Sequence, residues 1–167
     1  MSETREIVVL VDADACPVKE EIYAIAHRRR VRVVVVANAP IAVPRDPLIE
    51  RIVVPAGLDV ADDRIAEEAG PGRIVVTADV PLAGRAVKAG AVAIAPNGSV
   101  FDEASIGMAV AMRDLMTDLR SAGATTSGPK PFAPRDRSRF RSALDLAIVR
   151  LERAGFGTSA GGARPPG

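Results

Sequence analysis

Aromatic side chains are scarce in this 167-residue chain: they make up 3% of it, and tryptophan is absent. The core must therefore be built from valine, isoleucine, leucine and alanine, in a chain whose residues are 48% apolar. The scarcity also argues against a base-stacking platform of the RNA-recognition type, because that platform needs exposed aromatic rings. A chain of this length fits one domain of ordinary size.

Cysteine, long apolar runs and net charge are also limited. A single cysteine, Cys16, excludes an intramolecular disulfide and suits a reducing compartment. Residues 1–14 lack the basic and apolar regions of a signal peptide, and no apolar run approaches the roughly 20 residues that cross a bilayer. We therefore expect a soluble, cytoplasmic protein that does not bind membranes. The net charge of +1 excludes no class of partner.

The most informative stretch is residues 7–19, IVVLVDADACPVK. Its five leading apolar residues predict a buried strand, and Pro17 is typical of the first turn of a helix. Asp12 and Asp14 therefore fall at the carboxyl end of the strand, where ligands bind in open α/β sheets. Two carboxylates there destabilise the fold unless a metal, a cation or a helix N-terminus compensates their charge.

Further along the chain, short apolar runs alternate with helical patterns. Strands are predicted at residues 31–37, 52–54, 73–77 and 91–95, and helices at 59–69, 80–89, 102–122 and 135–154. This alternation predicts βαβ units and a parallel sheet. We expect a single α/β domain over residues 1–154. Residues 155–167 consist largely of Gly, Ala, Pro and Ser, so we expect a disordered C-terminal tail there.

Carboxylates follow two of the predicted strands. Asp12 and Asp14 follow the first strand, and Asp79 follows a later one. Because the carboxyl ends of parallel strands lie on one edge, these side chains can converge, and Asp62 and Asp63 at the start of a helix are a further source. Converging carboxylates suit Mg²⁺ or Mn²⁺, which prefer oxygen ligands. Each aspartate could instead simply cap a helix, so the metal site is a hypothesis.

Charge is distributed unevenly along the chain. Residues 55–81 contain six acidic and two basic residues, whereas residues 120–141 contain six basic residues and one acidic residue. An acidic metal pocket beside a basic strip suits an enzyme that acts on phosphodiesters, since metals polarise the reacting phosphate and Arg or Lys holds its neighbours. A solvated helix face is an equally good interpretation of the basic run.

Candidate phosphate-binding cations come from two places. Lys19 lies in the first helical turn beside the predicted acids, where a merely solvated lysine is equally plausible. Lys130, Arg135 and Arg137 lie in or just after the stiff loop SGPKPF. We expect this loop to fold back over the acidic pocket and to bring its cations to phosphates.

Four ordered motifs resemble the YaiI/YqxD family of uncharacterised bacterial proteins: VDADACPVK, GLDVADDRI, TADVPLA, and SGPKPF followed by RDRSRF. The resemblance runs from about Ile7 to Ala154. One departure is Pro96-Asn97-Gly98, where the family more often has Pro-Arg-Gly. If the family uses that arginine to contact phosphate, the contact is missing here.

That family is in turn similar to the PIN-like nuclease superfamily. The segment TADVPLAGRAVKAGAVAI resembles the PIN stretch in which Thr-x-Asp leads into a helix. The resemblance implies a PIN-like three-layer sandwich, with a central parallel sheet flanked by helices and the first strand central. It also implies metal-dependent cleavage of RNA or DNA by activated water. Asp12 and Asp79 match PIN acids, Asp62 or Asp63 matches the intermediate acid, and Asp14 is additional.

Three functions remain open. The favoured one is a Mg²⁺- or Mn²⁺-dependent nuclease or phosphodiesterase, preferably acting on RNA, with Asp12, Asp14, Asp79 and Asp62 catalytic and Asp63 a further metal ligand. The second is a haloacid-dehalogenase-like phosphatase with Asp12 as nucleophile, although Cys16 stands where Thr or Val is usual. The third is a non-catalytic PIN-like module that binds nucleic acid or protein.

Overall fold

The computed structural model describes residues 5–14, 16–123 and 132–158. In these residues the strands are β1 Val8–Asp12, β2 Arg32–Ala37, β3 Ile49–Val53, β4 Arg73–Val76, β5 Val92–Ile94 and β6 Val100–Phe101. The helices are α1 Lys19–Arg29, α2 Val60–Glu68, α3 Val80–Lys88, α4 Glu103–Ser121 and α5 Pro134–Arg153. Of these helices, none has the length and apolar character that a membrane span requires.

The six strands form one sheet in the order β3-β2-β1-β4-β5-β6. Strands β1 to β5 are parallel, and β6 pairs antiparallel with β5. Strands β1, β2 and β4 are rich in valine and isoleucine because both of their faces are buried, whereas the edge strand β3 is largely exposed. The α/β class and the parallel sheet are therefore confirmed, with the first strand between β2 and β4. The sequence pattern misses β6, since two residues are too few to show a period.

Successive residues of each strand face two separate cores. Val9 and Val11 pack with residues of α1 and α5 on one side of the sheet. Val8 and Leu10 pack with residues of α2, α3 and α4 on the other side. The alternation of side chains along a strand thus produces three layers, with helices on both faces of the sheet.

Helix α5 begins at the edge of the sheet where the parallel strands end. Near its start, Arg137 Nη1 donates a hydrogen bond to the carbonyl oxygen of Pro17, 2.7 Å away, just before α1. Gly98, in the turn after β5, lies against the backbone of Arg139, and a Cβ on Gly98 would come within 2.8 Å of it. The φ of Gly98 is +93°, which residues with a side chain rarely adopt. Both the backbone conformation and the lack of space for a Cβ therefore require glycine at this position.

The chain beyond α5 packs at the opposite edge of the sheet. Phe156 packs against Gly72, and the guanidinium of Arg5 lies 5.3 Å from the centre of its ring. The backbone N–H of Ile7 donates to the carbonyl of Gly157 at 2.8 Å. Packing against the sheet therefore continues to Gly157, within the predicted tail. Residues 159–167 of the predicted tail lie outside the described residues.

Candidate functional site

A buried hydroxyl links two of the predicted acids across neighbouring strands. Asp12 is the last residue of β1, and Thr77 follows β4, which pairs with β1. The Thr77 hydroxyl donates a hydrogen bond to Oδ2 of Asp12 at 2.8 Å. The same hydroxyl oxygen accepts the backbone N–H of Asp79 at 3.0 Å. Thr77 therefore fixes the Asp12 carboxylate and the start of the Asp79 turn relative to each other.

Asp79 also ends the turn by capping a helix. Its Oδ1 accepts the backbone N–H of Leu82 at 2.9 Å, and Pro81 stands in the first turn of α3. An aspartate N-cap of this kind satisfies one of the helix donors that has no partner within the helix. The capping role and the acid cluster are compatible, because the cap uses only one oxygen of this half-buried carboxylate, whose charge also acts on Asp12.

Burial and neighbouring negative charge together disfavour the charged forms of two carboxylates. Burial raises the pKa of Asp12 above its ordinary value, and the charges of Asp14 and Asp79 raise it further, against the lowering effect of hydrogen bonds from Thr77 and from the Asp14 backbone. Burial, followed by the charges of Asp79 and Asp12, raises the pKa of Asp62 to about 6. Side chains from β1, α2 and α3 therefore repel one another at one edge of the sheet.

The structure separates the adjacent pair Asp62 and Asp63. Asp62 is half-buried and feels the charges of Asp12 and Asp79. The Asp63 side chain is 57% exposed, and its Oδ1 lies 2.8 Å from Nη1 of Arg85 on α3. Successive residues on a helix point about 100° apart, so only one of the two can face the acidic edge. That residue is Asp62, and Asp63 instead ties α2 to α3.

Comparison with known proteins assigns the chain to a family. Residues 10–150 match a family model described as an uncharacterized BCR of the YaiI/YqxD family. The chain belongs to the YaiI/YqxD family. The family resemblance of the four motifs is thus confirmed, whereas the relation to PIN-like nucleases stays a prediction.

Similar proteins carry the name UPF0178 protein. The chain is 65% identical over 152 residues to the one from Azorhizobium caulinodans, which covers 91% of this chain and 96% of that protein. It is 63% identical over 154 residues to the one from Rhodopseudomonas palustris, covering 92% and 97% of the two chains. It is 59% identical over 159 residues to the one from Brucella ovis, and this match covers 95% of this chain and 99% of that protein. No solved structure matches the chain.

The acidic edge of this YaiI/YqxD protein has the donor chemistry of a site for a hard cation. Carboxylate oxygens are the ligands that Mg²⁺ and Mn²⁺ prefer, and a bound cation would relieve the repulsion among Asp12, Asp62 and Asp79. Within the described residues, however, no three acidic, histidine or cysteine side chains are arranged closely enough to hold a metal ion. The donor set therefore fits Mg²⁺ or Mn²⁺ chemically, without a complete set of protein ligands. Mg²⁺ commonly keeps several waters and needs only one or two carboxylates.

Two of the predicted phosphate-binding cations bind the protein itself. Lys19 Nζ donates to the carbonyl of Cys16 at 2.9 Å. Arg137 binds the Pro17 carbonyl, lies 3.3 Å from a carboxylate oxygen of Glu21, and has its guanidinium 4.9 Å from the centre of the Phe132 ring. Arg137 and Phe132 therefore hold the start of α5 against the start of α1.

Of the other two candidate phosphate-binding residues, the structure describes Arg135 but not Lys130. Arg135 is exposed, one helical position from the half-buried Asp136. Lys130 and most of the loop SGPKPF, which we expect to cover the acidic pocket, lie outside the described residues. The phosphate-binding roles of Lys19, Lys130, Arg135 and Arg137 thus stay predictions.

Thr77 is the site residue that the sequence pattern does not single out. It is 2% exposed, and apart from Tyr23 and Cys16 no other described residue has a buried side chain with a polar group. A threonine at the end of an apolar strand also suits the strand itself, since β-branched residues favour strands. The available signal is its position two residues before Asp79, within the TAD motif.

Proposed function

We propose that this YaiI/YqxD protein is a Mg²⁺- or Mn²⁺-dependent phosphodiesterase that cleaves nucleic acid, with RNA as the preferred substrate. The observation that carries the proposal is the link from the Asp12 carboxylate through the Thr77 hydroxyl to the Asp79 turn. Burial, followed by neighbouring negative charges, also raises the pKa of Asp12 and of Asp62. Carboxylates held together against their own charge are typical of sites that use an additional cation. The likeness of the TADVPLA segment to PIN-like nucleases supports the same function.

The chain's own residues would divide the work as follows. Asp12 and Asp79 would hold the cation, while Asp14 and Asp62 would complete its surroundings or orient a water. Thr77 would keep the Asp12 carboxylate in one orientation through its 2.8 Å hydrogen bond. When bound, the metal would polarise the phosphate and acidify a water molecule. Exposed Arg135 would hold a neighbouring phosphate of the substrate by charge.

Cleavage of a single-stranded RNA oligonucleotide tests the proposal. The wild-type protein should cut it only with Mg²⁺ or Mn²⁺ present, and Asp12→Asn or Asp79→Asn should lower the rate about a hundredfold or more. The matched control is Glu67→Gln, which neutralises an exposed carboxylate on α2 and should leave the rate unchanged. A DNA strand of the same sequence decides the preference for RNA.

The other two functions give different results in the same assays. If the protein is a phosphatase, it hydrolyses aryl phosphates and a phosphoryl group can be trapped on Asp12. If it is a binding module, the wild-type protein retains RNA without cutting it, and Asp12→Asn leaves that binding intact or tighter. Either result contradicts the nuclease proposal.

A further inference from the structure

Exposed apolar side chains are concentrated at one end of the sheet. Eight large apolar side chains are exposed in the described part of the chain, and two of them, Val53 and Leu58, lie in and after β3 at one edge. The other six lie at the β6 end: Met108, Met112, Leu115 and Leu119 of α4, Val100 of β6 and Leu146 of α5. Concentrated apolar surface of this kind marks an interaction site.

Helix α4 presents one of its apolar faces to solvent. Met108, Met112, Leu115 and Leu119 follow at intervals of four, three and four residues, so they form one stripe along the helix. Met108 is 71% exposed. The buried residue of the helix, Ile106, lies on the opposite face, where it packs near Gly84 of α3. We call Met108, Met112, Leu115 and Leu119 the α4 stripe.

The charges of α4 flank the stripe and leave it apolar. At about 100° per residue, Asp118 lies along one side of the stripe and Arg120 along the other. A groove that receives this helix would therefore bind best with a basic group on one rim and an acidic group on the other.

An apolar groove with both basic and acidic residues in its lining lies at the same end of the molecule. It has a volume of about 430 Å³ and runs between α5 and the strands β5 and β6, with Val100 and Leu146 among its apolar lining residues. Exposed Arg150 of α5 and exposed Glu103 at the start of α4 also line it. We call this cavity the β6 groove.

We propose that the β6 end of the sheet is a homodimer interface, in which the α4 stripe of each protomer lies in the β6 groove of its partner. A two-fold contact requires one surface to carry both complementary features, and here an apolar ridge and an apolar groove share the same end. Arg150 then lies near the acidic flank of the partner's helix, and Glu103 near the basic flank. This surface contains none of the proposed catalytic aspartates, so it is independent of the proposed function.

A stable dimer sets the area that each contact must bury. Helix α4 has 19 residues and is about 28 Å long. A specific interface buries roughly 1,200–2,000 Å² in total, and two-fold symmetry divides this between two identical contacts. Each contact therefore needs to bury about 600–1,000 Å².

Analytical ultracentrifugation of the full chain over a wide concentration range tests the proposal. The wild-type protein should be a dimer, and Leu115→Asp on the stripe or Leu146→Asp in the groove should raise the dimer dissociation constant about tenfold or more. The matched control is Leu58→Asp, which changes a leucine that is 91% exposed after β3 and should leave the dimer intact. Circular dichroism should show that all three variants fold, since each altered side chain is exposed.

A charge exchange tests the orientation of the two protomers. Asp118→Arg and Arg150→Glu should each weaken the dimer, and the double variant should recover most of the loss. A wild-type protein that stays monomeric overturns the proposal. It does so even if the monomer binds a different protein through α4. A dimer that resists both Leu115→Asp and Leu146→Asp, or assembly into open-ended oligomers, overturns it as well.

Discussion

The hydroxyl of Thr77 donates to the carboxylate of Asp12 at 2.8 Å and accepts the backbone N–H of Asp79 at 3.0 Å. A single buried side chain therefore aligns two acids that are 67 positions apart in the sequence. Because Thr77 is 2% exposed, water cannot readily replace its hydroxyl. Thr77 is therefore the side chain that joins Asp12 to the Asp79 turn, which the cap on α3 also holds.

Replacing the hydroxyl should loosen the site and raise the pKa of Asp12 further. Thr77→Val keeps the shape of the side chain but removes its hydrogen bond to Asp12, one of the causes that lower that pKa. We expect a loss of about 1–3 kcal/mol in the free energy of unfolding. Urea denaturation and an NMR titration of Asp12 measure the two effects. Thr77→Ser retains the hydroxyl, and a loss as large as that of Thr77→Val would contradict this role.

Stability without divalent cations should fall as the pH rises toward 6. The pKa of Asp62 is raised to about 6 in the folded protein, so between about 4 and 6 the folded state binds more protons than the unfolded state. Rising pH therefore removes stability over that window. Asp62→Asn should flatten this dependence and stabilise the protein at pH 7 by about 1 kcal/mol, since solvent screens much of the repulsion.

Denaturation of wild type and Asp62→Asn across that pH range, with a chelator present, measures the difference. Glu67→Gln on the same helix is the control and should follow the wild-type curve. An Asp62→Asn protein that is less stable than wild type at pH 7 would show that this carboxylate stabilises the fold.

Two arginines at the start of α5 should behave differently. Arg137 binds the Pro17 carbonyl and lies over Phe132, so Arg137→Ala should lower stability by about 1 kcal/mol. Exposed Arg135 is free to contact a substrate phosphate, so Arg135→Ala should leave stability unchanged. It should weaken RNA binding and reduce the slope of log K against log salt by about 0.7. Identical salt slopes for Arg135→Ala and wild type would exclude that contact.

Two glycines should respond in opposite ways to a methyl group. Gly98→Ala places a Cβ within 2.8 Å of the Arg139 backbone at a φ of +93°, so it should destabilise the protein by about 2 kcal/mol or more. Gly107 lies in α4 with nothing within 4 Å of the added Cβ, so Gly107→Ala should stabilise by about 0.5–1 kcal/mol. Thermal unfolding of the two variants compares them directly, and equal melting temperatures would contradict the close packing of the β5 turn on α5.

The spacing of apolar residues in the sequence predicts the strands and helices that bury one regular face. It does not predict burial where the packing of neighbouring elements decides which face is covered. The apolar runs of β1 and β2 and the helical spacing of α5 correspond to buried residues in the structure. In α4 the same kind of spacing includes Met112 and Leu115, which are 53% and 51% exposed. Sequence alone does not show which apolar face of a helix meets the core.

The remaining differences between the predicted and the observed site come from side-chain geometry. The sequence places Asp12, Asp14 and Asp79 at strand ends, but helix rotation decides between Asp62 and Asp63. Phe156 follows a glycine in a segment poor in apolar residues, so composition does not predict that it packs against Gly72.

Mn²⁺ binding by the metal-free protein tests the central claim most directly. Calorimetry at neutral pH should give a site in the wild-type protein and in Glu67→Gln, with affinity lowered at least about tenfold in Asp12→Asn and Asp79→Asn. Binding should also weaken as the pH falls through 6, because protons compete for the Asp62 carboxylate. If the wild-type protein binds no Mn²⁺, or if Asp12→Asn and Asp79→Asn bind it as tightly as wild type, these aspartates do not form a cation site.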